Sequence, residues 1–189
     1  MKIVDSLNKR RSYYNIGKDI EIEEDKLIER IKEITNLVPH PFNNQSSRLI
    51  IVTKEKQDEL WDNIYDVCEG KVAREKIDSF KSGYGTILYF INQEDVDRLK
   101  EEFPSYAENF DGWANQSMGM LQLSIWTGLR ELNIGASLQH YNPVIDSMVK
   151  EMFNVDDKWI LNAQMPFGNI LEEPEAIEKA DINKLVKKM

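Results

Sequence analysis

One segment restricts the possible folds of this chain more than any other. Ala114, Met118, Leu121, Ile125, Leu129 and Leu132 follow at intervals of four, three, four, four and three residues. That is the spacing of an α-helix with a sustained apolar stripe. Met120, Leu123, Trp126 and Thr127 widen the stripe onto a second side. A helix apolar on two sides is packed on two sides, either central in its domain or also against a second subunit. Asn133 and Gly135 end it.

The remaining pattern is helix-rich with scattered strands. Residues 2–12 form a short helix with Ile3, Val4 and Leu7 on one side and Arg10 and Arg11 at its end. Leu27, Ile28, Ile31, Ile34 and Leu37 mark a second helix. Its first turn carries Glu23, Glu24 and Asp25, matched to the positive end of the dipole, and Pro39 and Pro41 stop it. Leu49–Val52 reads as a strand buried on both faces, and Thr86–Ile91 as another. Residues 55–67, 71–81 and 93–102 read as helices, and Pro143 opens a further one running to about Phe153. From 159 to 167 the residues alternate, with Trp159, Leu161, Ala163, Met165 and Phe167 on one face of a strand that ends at Gly168. The order of elements gives an α+β layered arrangement. No repeat or linker interrupts it, so residues 1–189 are read as a single domain, with a charged tail after Pro174 free to wrap over a partner chain.

Composition then excludes whole classes. A net charge of −9 without a concentrated basic face argues against nucleic acid. No apolar run approaches the ~20 residues that span a bilayer, and the polar residues of the first segment are unlike a signal peptide. The single cysteine, Cys68, permits no internal disulfide and suits a reducing cytoplasm. His40 and His140, the only histidines, form no metal-ligand cluster, so no metal is expected.

Three polar groups remain. Arg10-Arg11-Ser12 either favours the negative end of a helix dipole or supplies a forked donor and a hydroxyl for a phosphate. The connection from Pro39 to Arg48 spends roughly ten residues where about two to six suffice. Its Asn43, Gln45, Ser46 and Ser47 are either ordinary loop formers or the lining of a polar site. The third group is Gly-Ala-Ser-Leu-Gln-His-Tyr-Asn-Pro, residues 135–143, from which no catalytic triad follows.

Taken together and in order, RRSYY, PHPFNNQSSR, SMGMLQLSIWTGL, LNIGASLQHYNPVID and AQMPFG resemble the flavin-dependent nitroreductase family, and within it the compact fatty-acid-repression-type branch. The resemblance covers about residues 3–170, and LQHYNP with QMPFG is its most specific part. It implies an α+β homodimer with a central, mainly antiparallel sheet flanked by helices and FMN held at the subunit interface. The implied activity passes a hydride from NADH or NADPH through the flavin to nitroaromatic, quinone or similar small acceptors by ping-pong kinetics. No protein side chain is implied as catalytic, because the flavin carries the chemistry. The same resemblance leaves open a flavin-binding regulator with incidental turnover.

Residue by residue, the resemblance assigns Arg10, Arg11 and Ser12 to the phosphate and ribityl chain, and Asn43 and Gln45 to the ribityl chain or ring edge. Leu138, Gln139 and His140 are assigned to the flavin, with the backbone of Gln139 and His140 near the reactive ring atoms. Gly168 and Asn169 also fall in the cofactor site, and His40, Phe42 and Tyr141 in the acceptor pocket. Two positions depart from the family pattern. His40-Pro41 stands where Ser-Ala is commoner, and Asn169 stands where a Lys or Arg reaches the phosphate. Weak FMN retention is expected from the second.

Overall fold

A computed structural model describes residues 3–189. The strands are β1 (Ile16–Gly17), β2 (Ser47–Thr53), β3 (Gly85–Asn92), β4 (Ile134–Ala136) and β5 (Trp159–Ile170). The helices are α1 (Ile3–Lys9), α2 (Glu24–Leu37), α3 (Glu55–Val67), α4 (Arg74–Lys81), α5 (Gln93–Glu102), α6 (Phe110–Glu131), α7 (Asp146–Phe153) and α8 (Ile182–Leu185). The first position of the expected N-terminal helix, Lys2, lies outside the described residues.

The sheet runs β1-β5-β3-β2, every pair antiparallel, with β4 also paired to β5. β3 is buried along its whole length because its β-branched and aromatic residues serve two layers. Ile87, Tyr89 and Ile91 join a core with α2, α5 and α6, while Leu88 and Phe90 join a second core with α3, α4 and α7. Among the described residues no helix is long and apolar enough to cross a membrane.

Two sequence expectations change here. Leu49, Ile50 and Ile51 are only partly buried, because β2 is the outer strand and has a sheet neighbour on one side only. The alternation of residues 159–167 does not stay on one face. Register slips between Tyr89 and Phe90, whose partners are Ala163 and Leu161, leaving Asn162 as the extra residue of a β-bulge. Leu161 therefore enters the second core, whereas Ala163, Met165 and Phe167 enter the first.

α6 is longer at its start than the stripe suggested, and Leu129 and Leu121 bury one side of it as expected. Asn133 ends it in the left-handed region at φ 60°. Its second apolar side is open: Met120 and Leu123 are each 43% exposed, beside exposed Ile3 and Leu7 of α1 and Leu37 of α2. α1 itself ends before Arg10 and buries only Ser6, whose hydroxyl donates to Glu131 at 2.6 Å.

Candidate functional site

The predicted residues gather at two places. The first begins where the chain leaves α1. The Arg10 guanidinium lies 4.3 Å above the Trp126 ring, while Trp126 Nε1 donates to both Arg11 O (3.1 Å) and Ala136 O (3.0 Å). Ser12 pairs with Ala136 in a short parallel bridge, and Tyr13 N–H donates to Ala136 O. One indole thus fastens the N-terminal corner to the start of the 136–142 segment. Burial, with the like charge of Arg11 adding to it, lowers the Arg10 pKa from its ordinary value. Arg11 donates to the Glu175 carbonyl. Among the described residues neither arginine is ion-paired to a carboxylate, so both guanidinium groups keep donors for an anion, although Glu172, Glu173 and Glu175 line the hollow beside Arg11 and Ser12.

The 136–142 segment is held by β5. Gln139 N–H donates to Gln164 O at 2.7 Å and Gln164 N–H returns a bond to Gln139 O at 2.9 Å. The Gln164 side chain accepts from Tyr141 N–H at 2.8 Å. Gln139's backbone donor, expected to face a flavin, is therefore committed to β5. In this antiparallel bridge the neighbouring amides point the other way. Leu138 N–H and His140 N–H find no acceptor among the described residues. The buried Gln139 side chain donates to Ser137 Oγ at 3.1 Å, Leu138 packs partly against the first core, and His140 is exposed.

Gly168 and Asn169 sit where β1 pairs with β5. A Cβ on Gly168 would meet Gly17 O at 2.1 Å, so only glycine admits this close approach. Asn169 Oδ1 accepts from Asp19 N–H at 2.9 Å, and Asn169 borders a hollow with Arg130 that shares Glu172 and Glu173 with the one lined by Arg11 and Ser12. The tail after Ile170 folds back over its own chain first. Asn15 donates to Glu172 at 3.1 Å, and Tyr13 OH to Glu173 at 3.2 Å.

The second place is the long loop after α2. His40, Asn43, Gln45 and Ser47 line one end of a groove of about 530 Å³ between α2 and β2, floored by Ile31 and Ile51. Phe42, Asn43 and Gln45 all adopt positive φ, at 50°, 55° and 49°. Such backbone costs roughly 1–2 kcal/mol per non-glycine residue, so the surroundings must enforce it. The Phe42 ring does so from one side, packing 4.6 Å from Phe103 and 5.5 Å from Phe110. Asn43 N–H and Asn44 N–H donate back to His40 O and Pro41 O from the other.

His40 is held at both nitrogens, by Val38 O at 3.1 Å and Ser47 Oγ at 2.9 Å. Burial depresses its pKa, with help from the Arg48 charge and against the Val38 hydrogen bond. Arg48 is paired to Asp95 at 2.7 Å. Tyr141 lies elsewhere, edge-on to Trp61 at 5.8 Å in the second core. Burial, then nearby Cys68, raises its phenol pKa to about 12.

The arginine corner and the loop groove share no lining residue among the cavities described. Trp126 and Ser47 were assigned no individual role in the sequence, Trp126 standing only in the apolar stripe and Ser47 only among the polar residues of the loop. Trp126 had a signal, being a tryptophan on the second side of an already apolar helix. Ser47 had only its place in the loop.

The profile described as the nitroreductase family matches residues 7–169. Nitroreductase FRM2 of Saccharomyces cerevisiae is 27% identical over 186 residues, covering 97% of this chain and 94% of its own. Nitroreductase CinD from Lactococcus lactis, solved with chloramphenicol, superposes with a TM-score of 0.95 at 38% identity over all of both chains. The same protein was solved with nicotinic acid and with 4-nitrophenol. A protein from Exiguobacterium sibiricum, solved with FMN, shares the fold at a TM-score of 0.78 and 12% identity, over 100% of this chain and 98% of its own.

Proposed function

The chain belongs to the nitroreductase family of oxidoreductases, and from that membership we propose that it is an FMN-dependent enzyme working as a homodimer. It takes reducing equivalents from NADH or NADPH and delivers them to small aromatic acceptors such as nitroaromatics or quinones. The observation that supports this reading is the separation of a cationic corner from an amide-lined groove on one chain. In this reading the two complete each other when two copies meet. The uncovered side of α6, with Met120 and Leu123, supplies the surface for that meeting.

In the complete site Arg10 and Arg11 hold the phosphate, each by charge-assisted bonds about twice as strong as neutral ones. Asn43 and Gln45 offer amides to the ribityl chain or ring. The unpaired Leu138 and His140 N–H groups offer donors to an electron-rich ring edge. FMN, when bound, supplies the hydride chemistry, and the protein contributes binding, orientation and exclusion of water. No ionisable side chain is needed for proton transfer, and the acceptor shares the open face with the nicotinamide in turn. The ligands solved in CinD, at 38% identity, are of the size this reading requires.

The direct experiment is an absorbance spectrum of the purified protein followed by anaerobic titration with NADH or NADPH. A flavin spectrum that bleaches and recovers on adding a quinone supports the reading, and a colourless protein that takes up no added FMN refutes it. Leu123→Glu places a charge on the open side of α6 and is expected to give a folded monomer by sedimentation that no longer retains FMN. A flavin-loaded monomer contradicts the two-chain site.

Asn169 stands where the reading lacks a cation. Asn169→Lys is expected to tighten FMN binding about tenfold, the effect of one charge-assisted bond, while giving up roughly 1 kcal/mol from the lost Asp19 contact. An unchanged dissociation constant by fluorescence titration removes Asn169 from the phosphate anchor.

A further inference from the structure

The hydrogen bonds around His40 fix which way Ser47 points its proton. Val38 O, as a carbonyl, only accepts, so Nδ1 of His40 carries the hydrogen in the 3.1 Å contact. In the neutral ring Nε2 is then an acceptor, and the Ser47 hydroxyl donates to it across 2.9 Å. Burial and the neighbouring Arg48 charge both act to keep the ring neutral. Ser47 has one hydrogen, and His40 takes it. Lone pairs are what remain for the groove.

The other polar side chains of the groove set this apart. Thr35, on α2, gives its hydrogen to Ile31 O at 2.8 Å and is an acceptor too. Arg48 is committed to Gln45 O, Ser47 O and Asp95. Lys32 is paired to Glu29 at 2.8 Å, and Asn36, Asn43 and Gln45 are amides that turn over to present either end. Ser47 therefore has a fixed polarity beside three groups that adapt.

We infer that Ser47, its proton held by His40, is a specificity-determining acceptor of this site, reserved for an N–H on the planar edge of the bound ring. The inference rests on the proposal that flavin occupies this groove, where the donor is the imide N–H of the pyrimidine edge. A ring edge bearing only carbonyl or nitro oxygens meets lone pair against lone pair at Ser47 and is disfavoured. His40 is a positioning residue that acts through Ser47.

The test uses the full-length protein with ¹⁵N-labelled FMN. In the wild type, the flavin imide proton is expected to be protected from exchange, and His40 to show the nitrogen shifts of an Nδ1–H tautomer. Ser47→Ala is expected to move the imide proton upfield and weaken FMN about tenfold, and Ser47→Thr to restore both. Should Ser47→Ala fail to fold, wild-type protein is compared with FMN and with its N3-methyl analogue, which has no imide hydrogen and is expected to bind at least about tenfold more weakly. An imide resonance indifferent to Ser47→Ala, an Nε2–H tautomer at His40, or equal affinity for the two flavins overturns the inference while flavin binding stands. Failure to bind FMN at all overturns the proposed function and this inference with it.

Discussion

Replacing Arg10 and Arg11 together by alanine is expected to weaken FMN binding about a thousandfold while leaving the fold in place. Hydrogen bonds to charged groups contribute roughly 1.5–3 kcal/mol each, so two such losses span about two to four decades in affinity. The fold survives because neither side chain carries core packing. Arg10 rests on Trp126 at 4.3 Å, a contact worth about 0.5–1 kcal/mol at a partly exposed site. Arg11 holds only the Glu175 carbonyl in the tail. The indole keeps both its own bonds, to Arg11 O and Ala136 O, whatever side chains stand at positions 10 and 11. Flavin fluorescence titration and a urea melt read the two halves of the prediction separately. A variant that unfolds yet still binds FMN on refolding removes the arginines from the phosphate site.

Trp61→Ala is expected to cost about 4 kcal/mol, within the range for truncating a buried aromatic and a large part of the 5–15 kcal/mol that holds a domain. Trp61 is fully buried, 4.9 Å from Phe80 and edge-on to Tyr141. Its indole N–H donates to Thr86 Oγ1 at 2.9 Å, the Thr86 hydroxyl donates to Gln57 Oε1 at 2.7 Å, and Gln57 Nε2 ends the chain by donating to Phe80 O at 2.9 Å. Removing the first member leaves a cavity and loosens a buried relay. Tyr141 loses its ring partner as well, and with it a support of the Leu138–His140 segment. Urea denaturation is expected to show the loss of stability, and flavin affinity to fall with it. Trp61→Phe, which keeps the ring and drops the N–H, is expected to cost less than half as much. Equal costs for both variants would place the stability in the hydrogen bonds alone.

Much of this structure was legible in the residues. The stripe from Ala114 to Leu132 fixed α6 because a 3.6-residue period needs no tertiary information. The strand at 85–92 declared itself through a run of β-branched and aromatic residues buried on both sides. What escaped depends on neighbours. Leu49–Val52 has the same apolar character, yet β2 is an outer strand, and position in a sheet is not written in a local run. β1 and β4 are two and three residues long, too short for any period. The bulge at Asn162 leaves the alternation of residue types intact while exchanging the faces. The resemblance assigned Tyr141 to the acceptor pocket, but on this chain its ring turns to the opposite layer and meets Trp61. For the site itself, RRS and the long loop were visible as chemistry. Trp126 was not, because its part is played by one N–H reaching two carbonyls from segments far apart in the chain.

The bulge also decides which helices each end of β5 supports. Its first half, through Leu161, packs with the helices around Trp61, and its second half, through Ala163, Met165 and Phe167, packs with α2 and α6. One strand is therefore common to the core beneath Trp61 and to the core that carries Gly168 and the arginine corner.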